Sequence, residues 1–223
     1  EYYNSVGLSH RNEKMEFRNV SPANYLPTID YLIEKGFKVI RMGKGFTDPF
    51  PYSDKNFIDY AISEFRSDFL DVWLSANCKF FLSSPCGIGS LPMMFNKPFL
   101  FADYFPVGRL ISYAPKSIQI PRMAVSNDKL LTLKEMIETG IIYKNDSNLY
   151  SELGVKILEN TSEDILNSTK DMLKKIENGF NVTPLNQKFW NNLKNQWVRC
   201  KGDIPVSIKN SSSKVYFNFD VRL

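Results

Sequence analysis

The feature that most constrains this chain is an apolar run that stops abruptly. Phe80-Phe81-Leu82 passes into Ser83-Ser84-Pro85-Cys86-Gly87-Ile88-Gly89-Ser90, and Leu91-Pro92 then opens a helix. Strand, small-residue loop and helix in that order belong to an α/β chain. The same order builds phosphate sites: glycines let a ligand approach the backbone, and the free N–H groups and positive dipole end of the next helix favour an anion. Ser84, Cys86, Gly87, Ile88, Gly89 and Ser90 are therefore candidate ligand-binding positions. The letters match neither a Walker loop nor a full GxGxxG, and a plain structural turn fits them equally well.

The alternation extends in both directions. Tyr2 to Ser9 reads as a short strand delivering His10 and Arg11 at its end. A helix follows, with Asn24 as its cap, Pro27 in the first turn and Ile29, Leu32 and Ile33 on one face. Gly36 ends it, and Phe37 to Met42 is a strand with Gly43 and Gly45 behind it. Strand, helix, strand in this order makes a right-handed unit with parallel pairing. Residues 46–56 are loop, and Phe57 to Ala61 is a short strand. Ser67 or Asp68 caps a helix with Phe69, Val72, Trp73 and Ala76 at helical spacing. After the glycine loop come a short helix through Met94 and the strand Pro98 to Ala102, which ends at Asp103.

Residues 1–125 thus predict a Rossmann-like, doubly wound, mostly parallel sheet. Ligands bind such sheets at the carboxyl ends of the strands, where Arg11, Arg41 to Gly45, Ser83 to Ser90 and Asp103 would stand. Residues 126–223 predict a helical C-terminal part that packs on or completes the same domain. Its expected helices are Leu130 to Thr139, one through Glu177 that a Thr161/Asp164 capping box opens, and Gln187 to Val198. Val215 to Val221 alternates polar and apolar as a last strand.

Composition narrows the function. The 223 residues are 43% hydrophobic, ample for a core, and the net charge of +4 is spread without a basic tract. That argues against nucleic acid and fits a modest preference for anionic ligands. Cys78, Cys86 and Cys200 are too few and too scattered for a disulfide framework or a zinc site, which predicts a reducing cytoplasm. No apolar stretch approaches the roughly 20 residues that span a bilayer. Glu1 stands where an initiator methionine would, so the expectation is part of a longer protein.

Arg41 is the sharpest candidate for chemistry. A guanidinium at the end of Val39-Ile40 suits bidentate phosphate binding, and an ion pair with Asp59 or Asp68 is the alternative. Arg11 and Arg18 lie in the loop after the first strand. His10 titrates near neutrality, yet a lone histidine in a polar loop is a weak candidate base. Asp59, Asp68, Asp71 and Asp103 are the best-placed acids. No Asp-x-Asp pair occurs, so the carboxylate clamp for a metal-bound nucleotide sugar is missing and neither metal nor cofactor is expected.

Taken together, these blocks resemble a group of bacterial glycosyltransferases of the GT-B type. The matching runs are Glu16-Phe17-Arg18-Asn19; Gly36-Phe37-Lys38-Val39-Ile40-Arg41-Met42-Gly43; Asp59-Tyr60-Ala61; Ser67-Asp68-Phe69-Leu70-Asp71-Val72; Cys78 to Gly87; Asn96-Lys97-Pro98; Ile120-Pro121-Arg122; and Glu159 to Ile165. The similarity runs in order through most of residues 5–180. It implies the donor-binding half of a metal-independent enzyme of surface-glycan assembly, with a nucleotide-diphosphate sugar as donor and a glycan or lipid-linked acceptor. Such an enzyme would work in the cytoplasm or peripherally at the inner face of the membrane. More distantly, fucosyltransferase-like enzymes end a strand in His-x-Arg, and Arg11 matches that arginine, with His10 directly beside it.

The resemblance makes Arg11 and Arg41 the groups that neutralise the diphosphate. Arg18, Asn19, Gly43 and the loop from Ser84 to Ser90 complete the donor site, and Asp103, or an acid from a second domain, is the candidate acceptor base. A non-catalytic nucleotide- or glycan-binding domain of a larger protein is the competing expectation.

Overall fold

The computed structural model describes residues 18–111, 114, 116–181 and 183–201. The expected strand Tyr2 to Ser9, with His10 and Arg11, and the expected strand Val215 to Val221 lie outside the described residues.

Two parallel sheets run through residues 39–121. Strand β1 (Val39–Ile40) lies beside β2 (Phe57–Ile58), Val39 facing Phe57. Strands β3 (Phe81–Ser83), β4 (Phe99–Tyr104) and β5 (Ser117–Pro121) form a second parallel sheet in that order, with Phe81 opposite Phe99 and Phe99 opposite Ser117. The central strand β4 is buried over residues 99–103 because helices and loops cover both of its faces.

Alternation along β4 and β5 sorts the core. Leu100, Ala102, Ile118 and Ile120 face one side and pack against Ile165 and Met172 of α6 (Ser162–Asn178). Phe81, Phe99 and Phe101 face the other, with Met42, Cys78, Ile88 and Met93 around them. Burying side chains of this size is worth about 1.5–3 kcal/mol each. Helix α6 is therefore part of the domain's core. It also packs on α1 (Leu26–Glu34).

Local signals set most helix ends. The α6 capping box is formed: the Thr161 hydroxyl accepts from the Asp164 amide at 3.1 Å and the Asp164 carboxylate accepts from the Thr161 amide at 3.0 Å. Ser67 caps α2 (Asp68–Asn77), accepting from Leu70 N–H. Asn24 does not cap α1. A 3-10 turn, Pro22–Tyr25, precedes that helix, and the Asn24 amide is bonded instead to Glu159 and to the Asn160 carbonyl.

Two expectations need correction. The helix expected over Leu130 to Thr139 covers only Leu133–Glu138 (α4), because Thr132 and Glu135 form a capping box there. Its first residue, Leu130, belongs to β7 (Lys129–Leu130), which pairs with β6 (Met123–Ser126) around a turn at Asn127-Asp128. The C-terminal part also holds a strand that helical periodicity hides: β8 (Val155–Leu158) runs antiparallel to β6, with Met123 facing Leu158. Strand β6 crosses the expected boundary at residue 125. Helices α5 (Ser147–Glu152) and α7 (Pro184–Lys201) complete this region, where Phe189, Trp190 and Leu193 join a cluster with Met136, Ile137, Ile141 and Ile142.

Candidate functional site

The glycine loop leaves β3 at the carboxyl edge of its sheet. Residues Gly87–Gly89 form a 3-10 turn that leads directly into α3 (Ser90–Met94). The first amides of such a turn, those of Gly87 and Ile88, have no acceptor within it, whereas the Ser90 amide is used inside the turn. The two glycines have different reasons to be glycine. A Cβ at Gly89 would stand 3.1 Å from the Phe99 ring, but one at Gly87 would meet nothing within 4 Å. Gly87 is thus exposed backbone that no neighbour requires to be bare.

Arg18 reaches this loop from another part of the chain. Its guanidinium donates to the Pro85 carbonyl, which puts a cation beside Cys86 and Gly87. Ser83 Oγ lies 3.0 Å from Cys86 Sγ and donates to the Ser84 carbonyl at 2.6 Å, holding the loop's entry closed on itself. The far side is anchored by Ile88, which shares the aromatic cluster of β3 and β4 with Met42. Met42, which follows β1, and Ile88 of the loop thus pack on the same aromatic cluster.

Arg41 is engaged elsewhere. Its Nη1 stands 3.0 Å from Asp59 Oδ2 and donates to the Asp48 carbonyl at 3.2 Å, and its guanidinium lies 4.3 Å from the centre of the Phe46 ring. This is the ion pair that the sequence left open. Gly43 is held by Arg66, whose Nε donates to the Gly43 carbonyl at 2.9 Å while its Nη2 pairs with Asp71 at 2.7 Å. No sequence pattern points to Arg66, since its partners are set by the path of the loop.

Asp103 departs furthest from expectation. Its side chain is 1% exposed and lies 3.2 Å from Arg122 Nε, itself on a side chain 2% exposed. Oδ1 accepts from the Asn160 amide at 2.8 Å, Oδ2 accepts from the Tyr25 hydroxyl at 3.2 Å, and the Asp103 amide donates to Asn160 Oδ1 at 2.5 Å. The residue takes a left-handed φ of 57° where the β4–β5 register shifts. That conformation is uncommon for a residue with a side chain and persists when surrounding bonds over-determine it.

Burial pushes the Asp103 carboxyl above its ordinary value, an effect that the Asn160 amide, Arg122 and the Tyr25 hydroxyl oppose. The Tyr25 hydroxyl is pushed up strongly, by burial first and then by Asp103. A base must reach the proton it takes. Asp103 is sealed from an acceptor and serves to tie elements together. Asn19 belongs to the same cluster, because its carbonyl accepts from Arg122 Nη2 at 2.6 Å.

Among the described residues, no three His, Cys, Asp or Glu side chains stand close enough together to hold a metal ion, and no helix is long and apolar enough to cross a membrane. Comparison with protein-family models, curated proteins and solved structures found no match.

Proposed function

We propose that this chain is the donor-binding domain of a metal-independent, GT-B-type glycosyltransferase, moving a sugar from a nucleotide-diphosphate sugar to a surface-glycan or lipid-linked acceptor. The observation that carries the reading is the loop after β3: exposed Gly87 backbone at the carboxyl edge of a parallel sheet, with Arg18 seated on the neighbouring Pro85 carbonyl. A diphosphate leaving group gathers negative charge as the glycosidic bond breaks. Fixed amides at Gly87 and Ile88 and the Arg18 guanidinium would meet that charge without reorganising, an arrangement in which one donor is worth roughly 100- to 1,000-fold in rate. Arg11, outside the described residues, would add a second cation. Arg41 holds its own loop in this reading, and the acceptor's base is left unassigned.

The test is calorimetric titration of the full chain with UDP, GDP, CDP and ADP and with their sugar derivatives. Wild type is expected to bind one base family, and Gly87→Val, which has room to fold, is expected to bind at least tenfold more weakly. Absence of binding by wild type to every nucleotide, or full affinity in Gly87→Val, would sink the site. The second reading, a domain that binds a nucleotide or glycan without catalysis, is favoured by the burial of Asp103. Tight nucleotide binding without donor hydrolysis or transfer would select it.

A further inference from the structure

Residues 18–25 lie against the carboxyl edge of the sheet through polar bonds whose partners all stand where other elements begin or end. The Asn19 carbonyl accepts from Arg122, which follows β5. The Ser21 amide and the Asn24 side chain donate to Glu159 Oε2 at 2.9 and 3.1 Å, and Asn24 also donates to the Asn160 carbonyl at 3.2 Å. Tyr25 donates to Asp103, at the end of β4. Arg122 and Asp103 are themselves joined and buried, and Asn160 is bonded to Asp103 and to the Pro121 carbonyl. One cluster thus fixes the segment that carries Arg18, and Arg18 in turn meets the glycine loop.

We infer that Arg122 is a positioning residue for the anion site: paired to Asp103, it holds the Asn19 carbonyl and so sets Arg18 on the loop at Pro85. This rests on the proposed nucleotide site. The chemistry suits arginine. One nitrogen faces a carboxylate while another donates to a carbonyl, a two-pronged task that the single ammonium of lysine performs poorly. Glu159 acts alongside it as a clamp for Ser21 and Asn24, on a more exposed and less demanding site.

The experiment uses the full chain and two readouts. Hydrogen exchange follows the amides of residues 19–25, and calorimetry follows the nucleoside diphosphate that wild type binds. Arg122→Lys and Glu159→Gln are each expected to speed exchange in residues 19–25 at least tenfold while the α6 amides stay protected. Arg122→Lys is also expected to weaken the nucleotide about tenfold, and to add nothing further once Arg18→Ala is present, because it acts through Arg18. If Arg122→Lys does not fold, Glu159→Gln carries the same two measurements.

Unchanged exchange in residues 19–25, or losses from Arg122→Lys and Arg18→Ala that simply add, would overturn the inference. Faster exchange in a chain that binds no nucleotide would uphold the clamp on residues 19–25 while removing the nucleotide site, and with it Arg122's role in binding.

Discussion

At the scale of single residues, charge partners decide what an arginine does. Arg41 is the sharper candidate in the sequence, yet it is committed to Asp59 and stacked on Phe46, whereas Arg18 meets the loop. Arg41→Ala should lower stability by about 1–3 kcal/mol, because it leaves the half-buried Asp59 carboxylate short of a partner. It should leave nucleotide affinity of the folded chain unchanged, and Arg18→Ala should do the reverse. Thermal melts and calorimetry on both variants check this, and lost affinity in Arg41→Ala would return that residue to the site.

The Asp59 pairing was one of two outcomes visible in the sequence. The Asp103 cluster was not, since Asn160 lies 57 positions away and no local pattern joins them. Ile120-Pro121-Arg122 and Glu159 to Ile165 were visible only as blocks of a resemblance, without a role. Tyr52 offers a residue-scale pH test. Its hydroxyl donates to Asp30 at 2.6 Å, a bond that with smaller contributions lifts it to about 12 from 10.0. The folded chain holds this proton more tightly than the unfolded one, so the bond's stabilisation is complete below pH 10 and is lost as pH rises through about 12. Ultraviolet titration of wild type against Asp30→Asn should show one tyrosine moving down. No moving tyrosine would mean the bond is not formed in solution.

At the scale of an element, periodicity gave the angle of a helical face but not which face is inside. Helix α2 shows this. Phe69, Val72, Trp73 and Ala76 fall at helical spacing in the sequence, yet Phe69 is 73% and Trp73 50% exposed, while Asp71 and Ser75 are buried. The reason lies just before the helix: Arg66 pairs with Asp71, and Ser75 Oγ donates to the Asp71 carbonyl at 2.7 Å, so the polar face is drawn inward with its partners. A charge is buried when it is paired, and the aromatic face is left outside. Phe69→Ser should therefore shift stability by less than about 0.5 kcal/mol, the range of ordinary surface changes. Asp71→Ala should cost about 1–3 kcal/mol by removing the close carboxylate partner of the partly buried Arg66. Urea melts rank the two, and a larger loss in Phe69→Ser would put the aromatic face back in the core.

At the scale of the whole molecule, strand pairing and packing run across residue 125, where the sequence places a change from sheet to helices within one domain. The parallel alternation through Asp103 was legible because each short apolar run ends in glycine, proline or a cap. Strand β8 was not, for four residues between α5 and a capping box carry no period, and their pairing is set by β6 about thirty positions earlier. More consequential is α6, whose capping box and apolar face were both readable but whose destination was not. Ile165 and Met172 cover the face of β4 and β5 that holds Leu100, Ala102, Ile118 and Ile120. A fragment ending at residue 125 would open that face to water and strip β6 of both its partners. Such a fragment should bind a hydrophobic dye and unfold without a cooperative transition, whereas one ending at residue 201, where the described helices end, should melt in a single step. A sharp, protein-like melt from the short fragment would mean that residues 1–125 form a domain by themselves, and that α6 rests on a core already complete.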